Sequence, residues 1–316
     1  MRAAEDVTFG ATPLDRAAHL RGDLAGLLSR KGARTIVLWK GKPLVAEDAL
    51  IFVPMDHPVL SQATRQPLFL GLDEEAPVFA TDISPWEPED VDTEAMGQFF
   101  DASLNHHPAC SEGHNFVELR GVMARMNPGH ANIAATARAV FAWHDGHSYC
   151  SRCGNRSGIS QAGWQRSCPS CHGQHFPRTD AVVIVLATSG NRVLLGRSPN
   201  WPEGMYSLLA GFLEPGETIE AASRREVFEE SGIKLGEIKY LSSQPWPYPS
   251  SLMFGTAGEA LNEDITIDPV EIEDAQWFSR EEVLASLDGS NPKLNPARKG
   301  SIARFIIERW LKDDLE

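Results

Sequence analysis

Residues 211–233 read Gly-Phe-Leu-Glu-Pro-Gly-Glu-Thr-Ile-Glu-Ala-Ala-Ser-Arg-Arg-Glu-Val-Phe-Glu-Glu-Ser-Gly-Ile, a Gly- and Pro-rich segment followed by a helix-forming one. Thr218 can accept hydrogen bonds from the first amides of a helix that begins at Ile219. Gly232 stands where a left-handed residue commonly ends a helix. The sequence therefore predicts a loop that leads into a helix of about three to four turns.

Three glutamates dominate this predicted helix. Glu226 and Glu230 are four residues apart and share one face, which Glu229 borders. Like charges at this spacing repel by roughly 0.2–0.5 kcal/mol per pair, and a bound hard cation such as Mg²⁺ or Mn²⁺ would turn that cost into a gain. A solvated acidic helix face is the alternative interpretation.

The full spacing favours the metal site, because the stretch resembles the Nudix box at every position that this motif specifies. Those positions are Gly211, Glu217, Arg225, Glu226, Val227, Glu229, Glu230, Gly232 and Ile233. The resemblance implies a loop-helix-loop metal site that hydrolyses a nucleoside diphosphate linked to another group. The identity of that group must come from the rest of the chain.

The whole chain has the composition of a globular protein. Its 316 residues, 42% of them hydrophobic, are enough for two domains of ordinary size and a small module. The formal net charge of −14 opposes diffuse binding to DNA or RNA, so anionic substrates need metal ions or local cations. The first twenty residues carry charges instead of an apolar core, and no apolar run reaches membrane-spanning length. We therefore expect a cytoplasmic protein without a membrane or DNA partner.

Four of the five cysteines form two tight pairs. Cys150 and Cys153 are followed, after fourteen residues, by Cys168 and Cys171, which is the spacing of a zinc ribbon with one tetrahedral Zn²⁺. A site closed by four thiolates leaves no position for a substrate water, so we expect a structural metal. An iron–sulfur cluster, a redox dithiol pair and a nucleic-acid-binding ribbon are the alternatives. Cys110 stands alone.

The chain before the ribbon predicts a small, sheet-rich domain. Its short strand-like runs are residues 35–39, 44–45, 49–53, 68–70 and 77–80. Residues 39–43, Trp-Lys-Gly-Lys-Pro, are typical of a hairpin turn. Residues 81–100 read as a turn that leads into a helix, and apolar positions from Ile133 to Phe141 predict a helix that ends near His144. No catalytic group stands out here, so we expect a scaffolding role.

After the ribbon, the pattern predicts a mixed sheet between helices. Residues 181–187 form a near-continuous apolar strand buried on both faces, with residues 192–196 as its hairpin partner. Ile302 to Trp310 follow the spacing of an amphipathic helix. Further strands are expected near residues 238–241, 252–254 and 276–278. The predicted fold class is α/β (α+β), with domains at 1–145, 146–177 and 178–316.

A stretch rich in Pro and aromatic residues follows the box. Residues 243–251 read Ser-Gln-Pro-Trp-Pro-Tyr-Pro-Ser-Ser, which predicts an extended, stiff segment. Trp246 and Tyr248 offer flat faces for stacking a nicotinamide or adenine ring, and Gln244 and the serines offer hydrogen bonds to a ribose or amide. A packed loop or a proline-rich partner site is the alternative interpretation.

Together, the box, this segment and the ribbon resemble the NADH pyrophosphatases, Nudix enzymes marked by Ser-Gln-Pro-Trp-Pro-Phe-Pro-x-Ser. Tyr248 replaces the Phe of that motif. The likeness is strong from about residue 145 onward and diffuse before it, where Arg120 is a weak match to a substrate-contacting Arg of the family. It implies a Nudix α/β/α sandwich with a mixed sheet, preceded by a zinc ribbon and a Nudix-like N-terminal domain, and it implies a homodimer.

The resemblance also implies the site residues. Metal ligands fall on the main-chain carbonyl of Ala210 and on Glu226, Glu230 and Glu271, and Glu229 completes the acidic patch. The four glutamates are the expected catalytic residues. The register set by the neighbouring Pro and Trp favours Glu271 over Glu273. Substrate contacts fall on Phe176, Gln244, Pro245, Trp246, Pro247, Tyr248, Pro249, Ser250, Ser251 and Ala303.

The implied reaction is a Mg²⁺- or Mn²⁺-dependent attack of water on the pyrophosphate of NADH or NAD⁺, which gives nicotinamide mononucleotide and AMP. Arg225 is expected to support the site by pairing with Glu217 or a neighbouring carboxylate. Removal of NAD caps from RNA cuts the same bond and is an alternative activity, and other dinucleotides are alternative substrates. A non-catalytic nucleotide-binding module is a further alternative, which the set of mutually repelling glutamates opposes.

Overall fold

The computed structural model describes residues 6–88, 101–199 and 201–315, which form two compact units. The N-terminal unit contains the described residues of 11–179 and 246–250, and the C-terminal unit contains those of 6–10, 180–245 and 251–315. The helix expected in the later part of residues 81–100 lies mostly outside the described residues. None of the helices in the described ranges is both long enough and apolar enough to cross a membrane.

The N-terminal unit contains a mixed sheet. Its strands are β1 (Arg34–Trp39), β2 (Lys42–Ala46), β3 (Ala49–Leu50), β4 (Phe52–Pro54), β5 (Leu68–Asp73), β6 (Ala76–Asp82) and β7 (His114–Phe116). Strand β1 pairs in parallel with β6 and antiparallel with β2 and β4. The β1–β2 hairpin turns at Lys40 and Gly41, whose φ angles of 48° and 78° suit a two-residue turn between twisted strands. The predicted hairpin turn and the sheet-rich character of this domain are confirmed.

Three helices accompany this sheet. They are α1 (Leu24–Ser29), α2 (Leu119–Val122) and α3 (Pro128–Gly146). Helix α3 begins where the side chain of Asn127 accepts the amides of Gly129 and His130, with Pro128 in the first turn. Every residue of α3 from Ala131 to Ala135 is buried, so this part of the helix is enclosed on all sides, and the helix extends slightly beyond the predicted end near His144.

A small antiparallel sheet follows α3. Its strands are β8 (Gly158–Ser160), β9 (Gln165–Ser167) and β10 (Gln174–His175). Arg166 in β9 is buried, donates to the Ser157 hydroxyl (2.8 Å) and places Nη1 3.2 Å from Nδ1 of His144 on α3. Nε2 of His144 lies 2.9 Å from the carbonyl oxygen of Gly163. A neutral imidazole satisfies both contacts, because Nε2 donates while Nδ1 accepts. These bonds fasten the cysteine-containing segment to α3.

The C-terminal unit is built on a six-stranded mixed sheet. Its strands are β11 (Asp180–Ser189), β12 (Arg192–Arg197), β13 (Leu209–Phe212), β14 (Leu235–Trp246), β15 (Ser251–Ala260) and β16 (Asp274–Ser279). The order is β14-β15-β11-β12-β16, and β13 also pairs with β11. Strand β11 runs parallel to β15 and antiparallel to β12 and β13. The apolar strand and the hairpin predicted after it are confirmed.

Helices pack on both faces of this sheet. They are α4 (Ile219–Ser231), α5 (Arg280–Leu287) and α6 (Ile302–Leu311). Because side chains alternate along a strand, Val183 and Val185 of β11 pack in one cluster with Val227 of α4. Ile184 packs in a second cluster with Ile306 of α6. The α/β/α sandwich with a mixed sheet is confirmed.

We expect the stability of the N-terminal unit to fall in acid because of His144. Burial lowers the pKa of His144 to about 4, with Arg166 and Arg65 lowering it further and the Gly163 carbonyl and Asp145 opposing the shift. The folded state thus binds fewer protons than the unfolded one, whose imidazole has a pKa of about 6.5. The contribution of neutral His144 to the free energy of unfolding should be fully present above this value. It should decline as the pH falls toward 4, by about 2 kcal/mol between pH 7 and pH 5. Urea unfolding at the two pH values measures this loss.

The matched control is His144→Gln, whose amide can donate and accept but does not titrate. The variant should lose less stability than the parent between the same two pH values. Acid effects on the cysteines are common to both proteins and cancel in the comparison. An equal loss in both would contradict the assignment to His144.

Candidate metal centre and substrate segment

The loop and helix predicted for residues 211–233 form as expected. Helix α4 begins after Thr218, whose hydroxyl accepts the amide of Ala221 (3.2 Å). The helix ends at Gly232, which has a φ of 71° and donates its amide to the carbonyl of Phe228. Both helix boundaries therefore follow from the residue types that the sequence places there.

Arg225 joins the loop to the helix. Its guanidinium makes a bidentate pair with Glu217, with Nε and Nη2 at 2.6 and 2.7 Å from the two carboxylate oxygens. Nη2 also donates to the carbonyl of Phe212 (2.9 Å), and Nη1 lies 2.9 Å from Glu226 and 3.0 Å from Glu229. The pair with Arg225 lowers the pKa of Glu217 to about 2. The predicted support from Arg225 thus takes the form of one cation that orients three carboxylates.

Three glutamates meet beside this network. Glu226 and Glu230 of α4 and Glu271 of the turn before β16 each place an oxygen within 4.8 Å of the others. Glu226 and Glu230 are each 7% exposed, and Oε2 of Glu230 has no hydrogen-bond partner among the described residues. Burial is the main cause that raises the pKa of Glu230 to about 8, and the charges of Glu226 and Glu271 add to the shift. This donor set fits a divalent cation with oxygen ligands, because a cation offsets both the repulsion and the burial of charge.

The backbone before α4 passes directly against one of these carboxylates. A Cβ atom at Gly211 would lie 2.1 Å from Cδ of Glu226, far inside van der Waals contact. Ala210, the preceding residue, pairs with Ile184 where β13 meets β11. Glycine at position 211 therefore lets the Glu226 carboxylate approach the strand that carries Ala210. This is a physical reason for the glycine that begins the box.

Glu271 and Glu273 have different surroundings. Both residues are exposed, but Glu273 forms an ion pair with Arg197, whereas Glu271 belongs to the group of three carboxylates. The amide of Glu271 donates to the carbonyl of Asp268 (3.2 Å), which closes the turn. The choice of Glu271 as a metal ligand stays a prediction, which its place beside Glu226 and Glu230 supports.

The four paired cysteines converge in the N-terminal unit. The Sγ atoms of Cys150 and Cys171 are 3.5 Å apart, as are those of Cys153 and Cys168, and all four lie within 4.8 Å of one another. Thiolates bound to one tetrahedral Zn²⁺ at ~2.3 Å are separated by about 3.8 Å, so this cluster fits a structural zinc ion. Nε2 of His175 lies 3.2 Å from the sulfur of Cys150, where an N–H group stabilises a thiolate ligand.

The segment after the box bends at its centre. Strand β14 ends at Trp246, the amide of Tyr248 donates to the carbonyl of Trp246 (2.8 Å), and residues 247–250 form a turn. The prediction of an extended segment is therefore wrong for residues 247–250, whereas Ser251 is extended again as the first residue of β15. The physical reason is that β14 and β15 are neighbours in the sheet, so the chain must reverse between them. The rings of Trp246 and Tyr248 pack edge to face with centroids 4.9 Å apart.

The side chain of Gln244 forms hydrogen bonds within the protein. It is 1% exposed, its Nε2 donates to the carbonyls of Thr8 and Gly300 (both 3.0 Å), and its Oε1 accepts the amide of Ile302 (2.8 Å). These bonds link β14 to the start of α6, where Ala303 is buried. The sequence predicts a substrate contact for Gln244, and in the structure both the nitrogen and the oxygen of its side-chain amide are engaged by the backbone.

The other predicted substrate contacts are distributed over the two units. Phe176 is 60% exposed and directly follows β10 in the N-terminal unit. Ser251 begins β15 and pairs with Asp180 of β11. The remaining members lie at the end of β14 or in the turn after it, and they are Pro245, Pro247, Pro249 and Ser250.

Some contacts around these residues cannot be predicted from any local sequence motif. Arg138 of α3 donates to the carbonyl of Pro247 (2.9 Å), and the carbonyls of Thr8 and Gly300 hold Gln244. Each joins positions far apart in the chain, so no local motif marks it. Covariation among relatives is the signal that would reveal such pairs.

Three family models match successive parts of the chain. The NADH pyrophosphatase-like rudimentary NUDIX domain matches residues 32–143, the NADH pyrophosphatase zinc ribbon domain matches 145–176, and the NUDIX domain matches 177–305. The chain is also 39% identical, over 204 residues, to the NAD-capped RNA hydrolase NudC of Stutzerimonas stutzeri (strain A1501), which covers 65% of this chain and 70% of that protein. The chain belongs to the NADH pyrophosphatase group of Nudix hydrolases.

Other members of this Nudix group are matched over smaller shares of their length. The NAD-capped RNA hydrolase NUDT12 of Macaca fascicularis is 47% identical over 195 residues, which are 58% of this chain and 42% of that protein. The human mitochondrial NAD(P)H pyrophosphatase NUDT13 is 37% identical over 210 residues, covering 63% of this chain and 60% of that protein. The chain thus spans less than half the length of the NUDT12 relative.

Replacing Gly211 should disturb the metal centre. In Gly211→Ala, the new methyl group displaces the Glu226 carboxylate, so we expect Mn²⁺ affinity to fall by about tenfold or more. Titration calorimetry or the electron paramagnetic resonance of free Mn²⁺ measures this affinity. Gly236→Ala is the control, because a Cβ there meets its nearest neighbour at an ordinary 3.5 Å. Equal Mn²⁺ binding by the two variants would refute the close-approach argument.

Removing zinc should unfold the cysteine-containing segment. A strong zinc chelator, with Mg²⁺ kept in excess, is expected to release one Zn²⁺ per chain, expose four reactive thiols and lower the thermal midpoint of the N-terminal unit. Metal analysis and thiol titration follow the release. Cys153→Ser should contain little zinc, whereas Cys110→Ser, which changes the cysteine outside the cluster, should contain as much as the parent. A zinc-free parent that keeps its thermal midpoint would argue against a structural metal.

Proposed function

We propose that this chain hydrolyses the pyrophosphate bond of NADH or NAD⁺, with Mg²⁺ or Mn²⁺, to give nicotinamide mononucleotide and AMP. The observation that carries the proposal is the convergence of Glu226, Glu230 and Glu271 within 4.8 Å, beside a complete Nudix box. Membership of the NADH pyrophosphatase group supports the substrate, as does the NAD(P)H pyrophosphatase activity for which the NUDT13 relative is named.

The chain's part in the reaction is to supply ligands for divalent cations beside the diphosphate. The diphosphate is anionic and repels a nucleophilic oxygen. Divalent cations, when bound, neutralise this charge and make water a better nucleophile. Glu226, Glu230 and Glu271 would hold them, with the main-chain carbonyl of Ala210 as a further ligand. The protein thus supplies ligands whose positions are fixed before the substrate arrives.

The surrounding residues keep the ligands in place. Arg225 binds Glu217 in the loop and reaches Glu226 in the helix, so the two parts of the box move together. Glu229 also contacts Arg225, but 53% of its side chain is exposed. We assign Glu229 to the solvent side of the acidic patch, where its charge adds to the attraction for cations.

Two aromatic residues, one at the end of β14 and one in the turn after it, are proposed to recognise the substrate. Trp246 and Tyr248 pack edge to face, which fixes the orientation of both rings. Flat, fixed faces lose little conformational entropy when a nicotinamide or adenine ring stacks on them. Gln244 acts in this proposal through the backbone that it holds.

Removal of NAD caps from RNA is the second candidate activity. The NudC and NUDT12 relatives are named NAD-capped RNA hydrolases, and cap removal cuts the same bond. The net charge of −14 opposes long contacts with an RNA body. Free dinucleotide is therefore the first substrate in our proposal.

The wider organisation remains as proposed from the sequence. We retain domains at residues 1–145, 146–177 and 178–316, a homodimeric assembly, a cytoplasmic location and no DNA or membrane partner. The ranges of the three family models support the domain boundaries.

Product analysis tests the proposal directly. With NADH and Mg²⁺ or Mn²⁺, the parent should release reduced nicotinamide mononucleotide and AMP, as resolved by chromatography. Glu230→Gln keeps the shape of the side chain but removes its charge, so we expect a rate at least about 100-fold lower. Glu237→Gln, an exposed position on β14, is the control and should match the parent.

Two results would count against the assignment. Full activity of Glu230→Gln would place the metal elsewhere. A parent that cleaves neither NADH nor NAD⁺ would refute the proposed substrate, and cleavage of capped RNA in preference to free NADH would favour the second candidate.

A further inference from the structure

Arg138 of α3 contacts the turn at residues 247–250, which lies within the predicted substrate segment (residues 243–251). Nη1 of Arg138 donates to the carbonyl of Pro247 (2.9 Å), and its guanidinium carbon lies 4.5 Å from the centroid of the Tyr248 ring. Helix α3 and residues 246–250 belong to the same compact unit. The turn contains two prolines, Pro247 and Pro249, which donate no amide hydrogen bond, so its carbonyl groups are the natural points of attachment.

Arg138 occupies an enclosed position. Burial lowers the pKa of its guanidinium, while the charge of Glu118 opposes that shift and the charge of Arg120 adds to it. A Cβ atom at Gly41, in the β1–β2 turn, would lie 3.5 Å from its guanidinium carbon. Within the described ranges, Arg138 makes no ion pair with a carboxylate. A half-buried cation without an ion pair is unfavourable, and the hydrogen bond that Arg138 makes to the Pro247 carbonyl fixes the turn.

The Tyr248 ring is contacted by a second cation and by a second ring. The guanidinium carbon of Arg120 lies 3.9 Å from the Tyr248 centroid. The Trp246 ring packs on Tyr248 with centroids 4.9 Å apart. A guanidinium group over the face of an aromatic ring is attracted by the ring's quadrupole, and the attraction grows when the cation is partly desolvated. The orientation of Trp246 therefore depends on Tyr248, and that of Tyr248 depends on the arginines.

We propose that Arg138 is a positioning residue for dinucleotide recognition, which holds the Pro247 carbonyl and the Tyr248 ring and, through that ring, orients Trp246 for stacking on a base. This inference rests on the proposed function. Arg138 acts on the segment and not on the reacting atoms, so its contribution appears in substrate binding. A segment that is ordered before binding loses less entropy when the substrate arrives.

Steady-state kinetics with NADH test the inference. Arg138→Met keeps the length of the side chain but removes the hydrogen bond and the charge. We expect KM to rise about tenfold while kcat stays within about twofold of the parent, the pattern of lost binding that is common to ground and transition states. Arg30→Met removes an exposed arginine of the same unit and should leave both constants unchanged. An unchanged KM in Arg138→Met would overturn the inference.

Arg138→Lys separates charge from geometry. Lysine keeps the positive charge but lacks the planar fork that both donates to a carbonyl and stacks on a ring. We expect Arg138→Lys to have a KM between those of the parent and Arg138→Met. A KM equal to that of the parent would mean that charge alone matters, which would overturn the positioning role.

A double-mutant cycle with Tyr248→Leu tests the contact itself. If Arg138 acts through Tyr248, the effects of Arg138→Met and Tyr248→Leu on KM, and on the urea midpoint of unfolding, should be smaller together than their sum. Additive effects on both quantities would show independent roles and would overturn the inference. The unfolding cycle needs no activity, so it reports on the contact even if the parent does not cleave NADH, an outcome that would refute the proposed function.

Discussion

Repulsion among three carboxylates in a half-buried space is the constraint on which the C-terminal unit depends. Glu226 and Glu230 come from adjacent turns of one helix, and Glu271 comes from a turn that is distant in sequence. Without a cation, the arrangement is unfavourable on every count: burial, like charge and an unpartnered oxygen. Contacts from the surrounding backbone and side chains nevertheless keep the three carboxylates together. Gly211 lacks the side chain that would collide with the Glu226 carboxylate, and an ion pair with Arg225 fixes the position of that carboxylate.

Local spacing accounts for the parts of the structure that the sequence predicts well. Helix α4 begins after Thr218 and ends at Gly232 because each terminus depends on a side chain or backbone preference within a few residues. The two-sided burial of β11 is visible as a continuous apolar run. These features need no knowledge of distant parts of the chain, and the two proposed metal ligands on α4, Glu226 and Glu230, belong with them.

Long-range pairing accounts for what the sequence does not predict. A run of prolines and aromatics favours an extended conformation, but the neighbouring positions of β14 and β15 force a reversal after Trp246. The amide of Gln244 looks suited to a ligand, yet three backbone groups from distant positions engage it. Arg138 carries no motif, because an arginine within a helix is ordinary until its partner at Pro247 is known.

The bonds of Gln244 bear on how relatives of this family can be recombined. The Ser-Gln-Pro-Trp segment is contiguous in sequence, which invites its exchange between relatives as one block. Its glutamine, however, is joined to carbonyls at Thr8 and Gly300 and to the first amide of α6. A chimaera that imports the segment must therefore also import compatible backbone at both ends of the chain. The structural unit that contains this segment is therefore discontinuous in sequence, and crossover points chosen from sequence blocks alone would separate its parts.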